Sequence, residues 1–194
     1  MRRFLLIWGF ALLIGSVQAS PIIYIASLSG PSESPPNISP GTGNAIVTYD
    51  SEAHTLLVDA VFQDLTAGNT AAHIHCCTAS PGSGAAGVAT MTPTFAGFPT
   101  GVTSGSYDSP VFDLTQPGVW NASFITNNGG TPASAESVFG AGLAEGRAYF
   151  NIHTSVFPGG EIRGFLAPIP EPTSLLLIGT GLGLIGLVAW RKRN

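Results

Sequence analysis

The chain has 194 residues, of which 9% are charged and 44% are hydrophobic, and it contains 25 glycines and 15 prolines. Between residues 20 and 167, two basic residues, Arg147 and Arg163, stand against ten acidic residues, which gives a net charge of −8 with histidine neutral. Such an acidic surface excludes nucleic acid and anionic lipid as favourable partners, because both are negatively charged themselves.

The first nineteen residues have the pattern of a secretory signal peptide. Met1-Arg2-Arg3 is a positively charged start, residues 4–15 are apolar, and Val17-Gln18-Ala19 is a cleavage site of the small-x-small type. We therefore expect residues 1–19 to be removed and the following segment to be exported. Residues 20–168 are long enough to form one domain with a hydrophobic core.

The domain is predicted to be mainly β, because short β-branched and aromatic runs alternate with turns rich in glycine and proline. The predicted strands are Pro21–Leu28, Gly43–Tyr49, His54–Leu65, Ala71–Cys77, Pro110–Leu114, Val119–Phe124, Arg147–Thr154 and Glu161–Ala167. Between the fourth and fifth of these, Pro81–Gly105 is predicted to be a long loop that encloses one or two short strands. Many short strands with tight turns favour an antiparallel Greek-key sandwich or barrel.

One short helix is predicted among the strands. Thr131 is a capping residue, Pro132 suits the first helical position, and Ala133–Ala144 continues the helix towards Gly146. The residues expected to face the core are Val138, Phe139 and Leu143.

Two histidines and a cysteine share one face of a predicted strand. Along Ala71–Cys77, the side chains of His73, His75 and Cys77 point to the same side, since strand residues alternate between faces. Residues two apart on a strand are separated by about 7 Å, from which two imidazoles can reach one ion. His153 lies on the polar face of another strand. Imidazole with thiolate suits copper or zinc, so these four residues form a candidate metal site.

Two other interpretations of these histidines stay open. In the first, His153 belongs to a structural polar network with Asn151, Glu161 and Arg163, in which Glu161 and Arg163 form a surface ion pair. In the second, the histidines form a surface for a ligand or a partner. The sequence has no Gly-x-Ser-x-Gly elbow, no phosphate loop and no carboxylate pair with acid–base spacing, so no enzyme activity is predicted.

The only two cysteines are neighbours, Cys76 and Cys77. In an oxidising compartment they can form a vicinal disulfide, pair between two molecules, or act as metal ligands. A disulfide that closes a longer loop within one chain is excluded.

Residues 169–194 are arranged like a tail that is directed to a membrane. Pro170-Glu171-Pro172 precedes an uncharged run, Thr173–Trp190, and Arg191-Lys192-Arg193 follows it. As a helix, residues 173–190 would be about 27 Å long, close to the thickness of a hydrocarbon core. The basic cluster is expected to stay cytoplasmic, which places the preceding domain outside.

This order of parts resembles the PEP-CTERM sorting signal of Gram-negative bacteria. The resemblance implies that an exosortase recognises the tail and that the chain is processed near Pro170-Glu171-Pro172. Before processing, the protein would be anchored in the inner membrane with its domain in the periplasm. Afterwards it would reach the cell surface or the extracellular, exopolysaccharide-containing matrix, where exopolysaccharide or envelope proteins are candidate partners.

A second resemblance covers nearly all of residues 20–167. The segments that carry it are Leu28–Gly30, Pro35-Pro36, Thr42–Ala45, Ala72–His75, Tyr149–Thr154 and Pro158–Leu166. They look like the CHRD domain, which is common in bacterial secreted proteins. The resemblance favours a non-enzymatic exported protein. The alternative is a β-barrel that binds copper or zinc through His73, His75 and His153, with redox activity in the manner of copper/zinc superoxide dismutase, which the His-x-His pattern loosely resembles.

Overall fold

The structure, a computed structural model, describes residues 20–169. The predicted signal peptide, the motif Pro170-Glu171-Pro172 and the predicted membrane helix 173–190 lie outside these residues. No helix within the described range is long and apolar enough to cross a membrane.

Within this range the chain forms nine strands that belong to one antiparallel sheet. They are β1 (Ile22–Ser29), β2 (Thr42–Asp50), β3 (Thr55–Gln63), β4 (Asn69–His75), β5 (Gly105–Asp108), β6 (Phe112–Asp113), β7 (Tyr149–Thr154), β8 (Ile162–Phe165) and β9 (Ala167–Pro168). The strand order is β4-β7-β8-β1-β2-β3-β5, while β6 pairs with β3 and β9 pairs with β1.

The prediction of a mainly β, antiparallel fold is confirmed. The arrangement differs from the predicted Greek-key sandwich or barrel, because the described strands form a single sheet that curls into a half-barrel. The strands at the two ends of the order, β4 and β5, do not pair with each other, so the sheet does not close into a barrel. The curled sheet buries one face of β3, with Leu56, Val58, Ala60 and Phe62 in the core.

The predicted helix is confirmed as α2 (Pro132–Ala144). The hydroxyl of Thr131 accepts a hydrogen bond from the Ser134 N–H, and the Ser134 hydroxyl bonds back to the Thr131 backbone. Phe139 and Leu143, four residues apart on one helical face, are fully buried. Val138 was wrongly assigned to the core, because it lies one position around the helix from Phe139 and is 37% exposed.

The predicted strand Val119–Phe124 is wrong. Pro117–Val119 is a short 3-10 helix, and Ala122–Asn127 is a second α-helix, α1. The side chain of Asn121 caps α1 by accepting the Ser123 N–H, so a local capping signal overrides the β propensity of the aromatic and β-branched residues. Pro81–Gly105 is a long loop, as predicted, and its short pairings are single bridges such as His75 with Val88.

Aromatic rings fill the core on the concave side of the sheet. Phe150 of β7 stacks on Phe95 of the long loop with ring centroids 6.1 Å apart, and both side chains are fully buried. Every residue of β7 is buried, including Tyr149, Asn151 and His153 on the opposite face. The outer face of β4, β7 and β8 is therefore covered by loops rather than open to solvent.

Removing the Phe150 ring tests this packing. Phe150→Ala is expected to lower the free energy of unfolding by about 3–5 kcal/mol, because it leaves a cavity in a rigid aromatic cluster. Urea unfolding followed by tryptophan fluorescence measures the change. The control is Val138→Ala on the exposed side of α2, for which a change within about 0.5 kcal/mol is expected. Equal losses in the two variants would contradict the assigned core.

Candidate metal centre

The pairing of β4 with β7 brings the three predicted histidines together. His73 lies opposite Asn151 and Ala71 lies opposite His153 in the antiparallel register. As a result, His73, His75 and His153 occupy neighbouring positions on the outer face of these strands. One ring nitrogen from each histidine lies within 4.8 Å of those of the other two.

Each imidazole bonds to a backbone carbonyl through one of its ring nitrogens. His73 Nε2 lies 2.6 Å from the Pro93 oxygen, His75 Nδ1 lies 2.9 Å from the Ala86 oxygen, and His153 Nδ1 lies 3.0 Å from the Pro158 oxygen. A carbonyl oxygen only accepts hydrogen bonds, so these three nitrogens must carry the protons. In the neutral rings, the lone pairs are then left on His73 Nδ1, His75 Nε2 and His153 Nε2.

These three lone pairs converge without a donor among the described residues. His75 Nε2 and His153 Nε2 are 3.4 Å apart, and His73 Nδ1 is buried with no hydrogen-bond partner. Nitrogens bound to one tetrahedral ion at about 2.0–2.1 Å are about 3.3 Å apart. The first pair already has this separation, and a modest movement of His73 would complete a set of three ligands.

Burial keeps the three rings neutral. It lowers the pKa of His73 to about 4 and the pKa of His75 to about 4, and it also lowers the pKa of His153. The nearby positive charge of Arg163 lowers the pKa of His75 further. Because a metal binds the unprotonated imidazole, the rings are ready to act as ligands at neutral pH.

A stack of side chains supports His75. The His75 ring lies parallel to the Tyr149 ring at a centroid distance of 4.8 Å, and the guanidinium carbon of Arg163 lies 4.6 Å from the centre of the Tyr149 ring. Arg163 donates to the carbonyl oxygens of Ser32 and Gly84. The stack thereby fixes two of the loops that cover the site.

The predicted surface ion pair between Glu161 and Arg163 is wrong. Both side chains are buried, and the carboxylate nearest to Arg163 is that of Glu33, with 3.6 Å between Arg163 Nε and Glu33 Oε2. Glu161 instead accepts hydrogen bonds of 2.6 Å from the Ser39 hydroxyl, the Thr66 N–H and the Thr154 hydroxyl. Burial raises the pKa of Glu161, but these bonds outweigh it and hold the pKa below its usual value.

Cys77 does not join the histidines, so the fourth ligand predicted there is wrong. β4 ends at His75, and the strand alternation that would have placed Cys77 beside the rings ends with it. Cys76 and Cys77 form a vicinal disulfide, which leaves neither a free thiolate. Both sulfurs pack against Gly142 of α2, where a β-carbon would collide with them.

Several residues of the site carry weak sequence signals. The loop carbonyls of Ala86, Pro93 and Pro158 have no side-chain pattern, so sequence alone does not indicate them. The sequence does indicate Tyr149, because strand alternation places it on the same face of β7 as Asn151 and His153. The fourth histidine, His54, lies elsewhere and bonds to Glu136 at 2.9 Å.

Comparisons with known proteins identify the family of the chain. The sequence model of the CHRD domain matches residues 24–166, which include most of the nine-stranded sheet and all three histidines of the centre. The chain belongs to the CHRD family. The PEP-CTERM protein-sorting motif matches residues 168–193, directly after the CHRD domain. No curated protein and no solved structure matches the chain.

Both predicted resemblances are thus confirmed. A CHRD domain followed by a PEP-CTERM motif marks an exported protein that an exosortase sorts and that is anchored to a membrane before processing.

Proton-linked stability tests the buried histidines. The pKa of His73 in the folded protein, about 4, lies below the usual value of about 6.5, so on acidification the unfolded chain takes up this proton first. The stability contributed by neutral His73 is therefore present above about pH 6.5 and is lost as the pH falls towards 4. We expect the loss in unfolding free energy between about pH 7 and pH 5 to be about 1–2 kcal/mol smaller in His73→Gln than in wild type.

Urea unfolding of the metal-free protein at the two pH values measures this difference. The control, Val138→Ala, changes no titratable group on the exposed side of α2 and should keep the wild-type pH dependence. If wild type and His73→Gln lost the same unfolding free energy between pH 7 and pH 5, the buried, neutral state of His73 would be contradicted.

Proposed function

We propose that the CHRD domain binds one copper or zinc ion through His73 Nδ1, His75 Nε2 and His153 Nε2, in an exported protein that serves the cell envelope or the extracellular matrix without catalysing a reaction. The observation that carries the metal proposal is the convergence of three buried lone pairs, each fixed by a carbonyl on the far side of its ring.

The donor set favours copper or zinc over other common ions. Imidazole nitrogen is a preferred ligand of these two metals, whereas calcium and magnesium prefer oxygen ligands. The three rings are neutral, and the net charge of −8 between residues 20 and 167 attracts cations to the domain. Carbonyl partners behind metal-binding histidines are the usual arrangement, because they fix the tautomer and the ring orientation.

The ion would act as a connection between parts of the fold that are distant in sequence. The carbonyls that orient the rings belong to the long loop at Ala86 and Pro93 and to the turn at Pro158. Binding at the rings would stabilise all of these segments together, which suits a durable extracellular domain. Redox chemistry at a copper ion is the second candidate, favoured by a set of only three protein ligands that leaves a coordination position open.

The destination is part of the same proposal. The sorting motif supports release from the inner membrane towards the cell surface or an exopolysaccharide matrix, with exopolysaccharide or envelope proteins as partners. The non-enzymatic role is supported by the sequence, which has neither a nucleophile elbow nor a phosphate loop.

Metal analysis tests the centre. The purified protein is expected to bind one copper or zinc ion per chain, and an ion at 100 times its Kd should stabilise the fold by about 2.7 kcal/mol. His75→Ala should abolish both effects, whereas the control His54→Ala should keep them. Elemental analysis and thermal unfolding with and without the ion measure the outcome. A wild-type protein whose unfolding temperature is unchanged by either ion would contradict the proposal.

Cell fractionation tests the sorting. Replacing Pro170, Glu171 and Pro172 with alanine should remove the recognition sequence and keep the protein in the inner-membrane fraction. The control, Glu145→Ala, removes an acidic residue from the CHRD domain and should leave the distribution unchanged. An unaltered distribution of the triple variant would contradict exosortase sorting through this motif.

A further inference from the structure

A groove on the surface of the domain is bounded by α1, by α2 and by the residues that follow β4. It has a volume of about 480 Å³, which lies within the range of about 300–1,000 Å³ that is typical of small-ligand sites. Ser123 and Asn127 line it from α1, Val138 lines it from α2, and the Cys76–Cys77 disulfide lies between them. The described lining of this disulfide groove includes none of the three histidines, so the groove is separate from the metal centre.

The disulfide and two valines give the groove an apolar patch. Cys76 and Cys77 are bonded to each other, so neither sulfur can carry the charge of a thiolate. Both sulfurs are held against α2 at Gly142, and Cys77 Sγ lies 3.6 Å from the carbonyl oxygen of Val138. Val88 is half-buried and Val138 is 37% exposed. This apolar surface stays in contact with water until a ligand with an apolar face covers it.

Asparagine amides stand beside the apolar patch. Three of the seven asparagines between residues 20 and 169 line the groove, namely Asn121, Asn127 and Asn128. Asn121 Oδ1 accepts the Ser123 N–H, and Asn128 Nδ2 donates to the Phe124 carbonyl oxygen. These two bonds fix the orientation of the amides, and they leave Asn121 Nδ2 as a donor and Asn128 Oδ1 as an acceptor for a ligand.

The groove is close to neutral although the domain is strongly acidic. No described residue that lines it is an aspartate or a glutamate, whereas the net charge between residues 20 and 167 is −8. The charged residue in the described lining, Arg147, is paired with Glu145 at 2.9 Å. An anionic ligand would be repelled by the domain, and a cationic ligand would find no carboxylate in the groove, so a neutral ligand is favoured.

A sugar ring has the properties that this groove selects. It is neutral, its C–H groups give it an apolar face, and each of its hydroxyl groups both donates and accepts hydrogen bonds, as a set of amides requires. An extended peptide fits less well, because peptides commonly add a strand to an open sheet edge. The edge of β4 beside the groove is already occupied by the long loop: the Ala89 N–H donates to the Ile74 carbonyl, and the Cys76 N–H donates to the Gly87 carbonyl.

We propose that the disulfide groove binds a neutral sugar unit of a polysaccharide. One face of the ring packs on the disulfide and Val138, and the hydroxyl groups bond to the asparagine amides. This inference rests on the exopolysaccharide partner of the proposed function, for which it supplies a binding site, and it does not depend on the metal centre.

Titration calorimetry with the exported protein, purified with its disulfide intact, tests the proposal. The neutral probes are cellopentaose, xylopentaose and mannopentaose, the acidic probe is pentagalacturonate, and the peptide probe is pentaglycine. At least one neutral sugar is expected to bind at millimolar concentration and more tightly than the acidic and peptide probes. Asn127→Ala removes an amide and should weaken that binding about three- to tenfold. Val138→Ser should weaken it by a similar factor, because it replaces part of the apolar patch with a hydroxyl group.

Both variants change exposed positions, so the fold should be retained, which thermal unfolding checks. The control is Thr126→Ala, which removes an exposed hydroxyl group of α1 outside the groove and should leave the affinity unchanged. Equal affinity in wild type and both variants would overturn the groove as the site while leaving the polysaccharide partner. Tighter binding of the acidic or peptide probe, or no neutral sugar bound at about 10 mM, would overturn the inference itself. Metal uptake is measured on the same samples, so a failure of the metal function is recognised separately.

Discussion

The antiparallel pairing of β4 with β7 is the constraint on which the rest of the centre depends. It places His73, His75 and His153 side by side although 80 residues separate the first from the last. The same two strands carry Ile74 and Phe150 into the core on their other face. A shift of the register by one residue would turn the apolar residues away from the core and the histidines towards it, so the hydrophobic pattern that folds the sheet also assembles the site.

The loops fix the orientation and the tautomer of the three imidazole rings. Strands alone bring three imidazoles near one another, but each ring can rotate and can carry its proton on either nitrogen. The carbonyls of Pro93, Ala86 and Pro158 remove that freedom. Arg163 also helps to hold His75 in place, because it bonds to two covering loops and stacks on Tyr149, the aromatic neighbour of His75. The tautomers and orientations of the rings are therefore set in advance, which would lower the ordering cost of binding an ion.

The sequence was most informative where side-chain alternation and capping determine structure. Alternation predicted β3, the shared face of His73 and His75 and the polar face of β7, and the Thr131–Pro132 cap predicted α2. The strand prediction failed at Val119–Phe124, because the side chain of Asn121 caps a helix there. The predictions also failed at Cys77, where alternation stops with the strand, and at Glu161, where two of the three partners, Ser39 and Thr66, come from distant loops. Backbone carbonyls have no sequence signature, so the orientation of the rings required the structure.

The end of the domain limits how far it can stand from a membrane. β9 pairs with β1, and the N–H of Ile169 donates to the carbonyl oxygen of Ile23, so the ordered domain continues to the residue before Pro170. Only three residues separate Ile169 from the predicted span at Thr173, a reach of at most about 14 Å. Before processing, the acidic domain would be held against the lipid headgroups, and its negative charge would oppose anionic lipid there. Cutting the tail would relieve that repulsion, so electrostatics would favour release from the membrane over return to it.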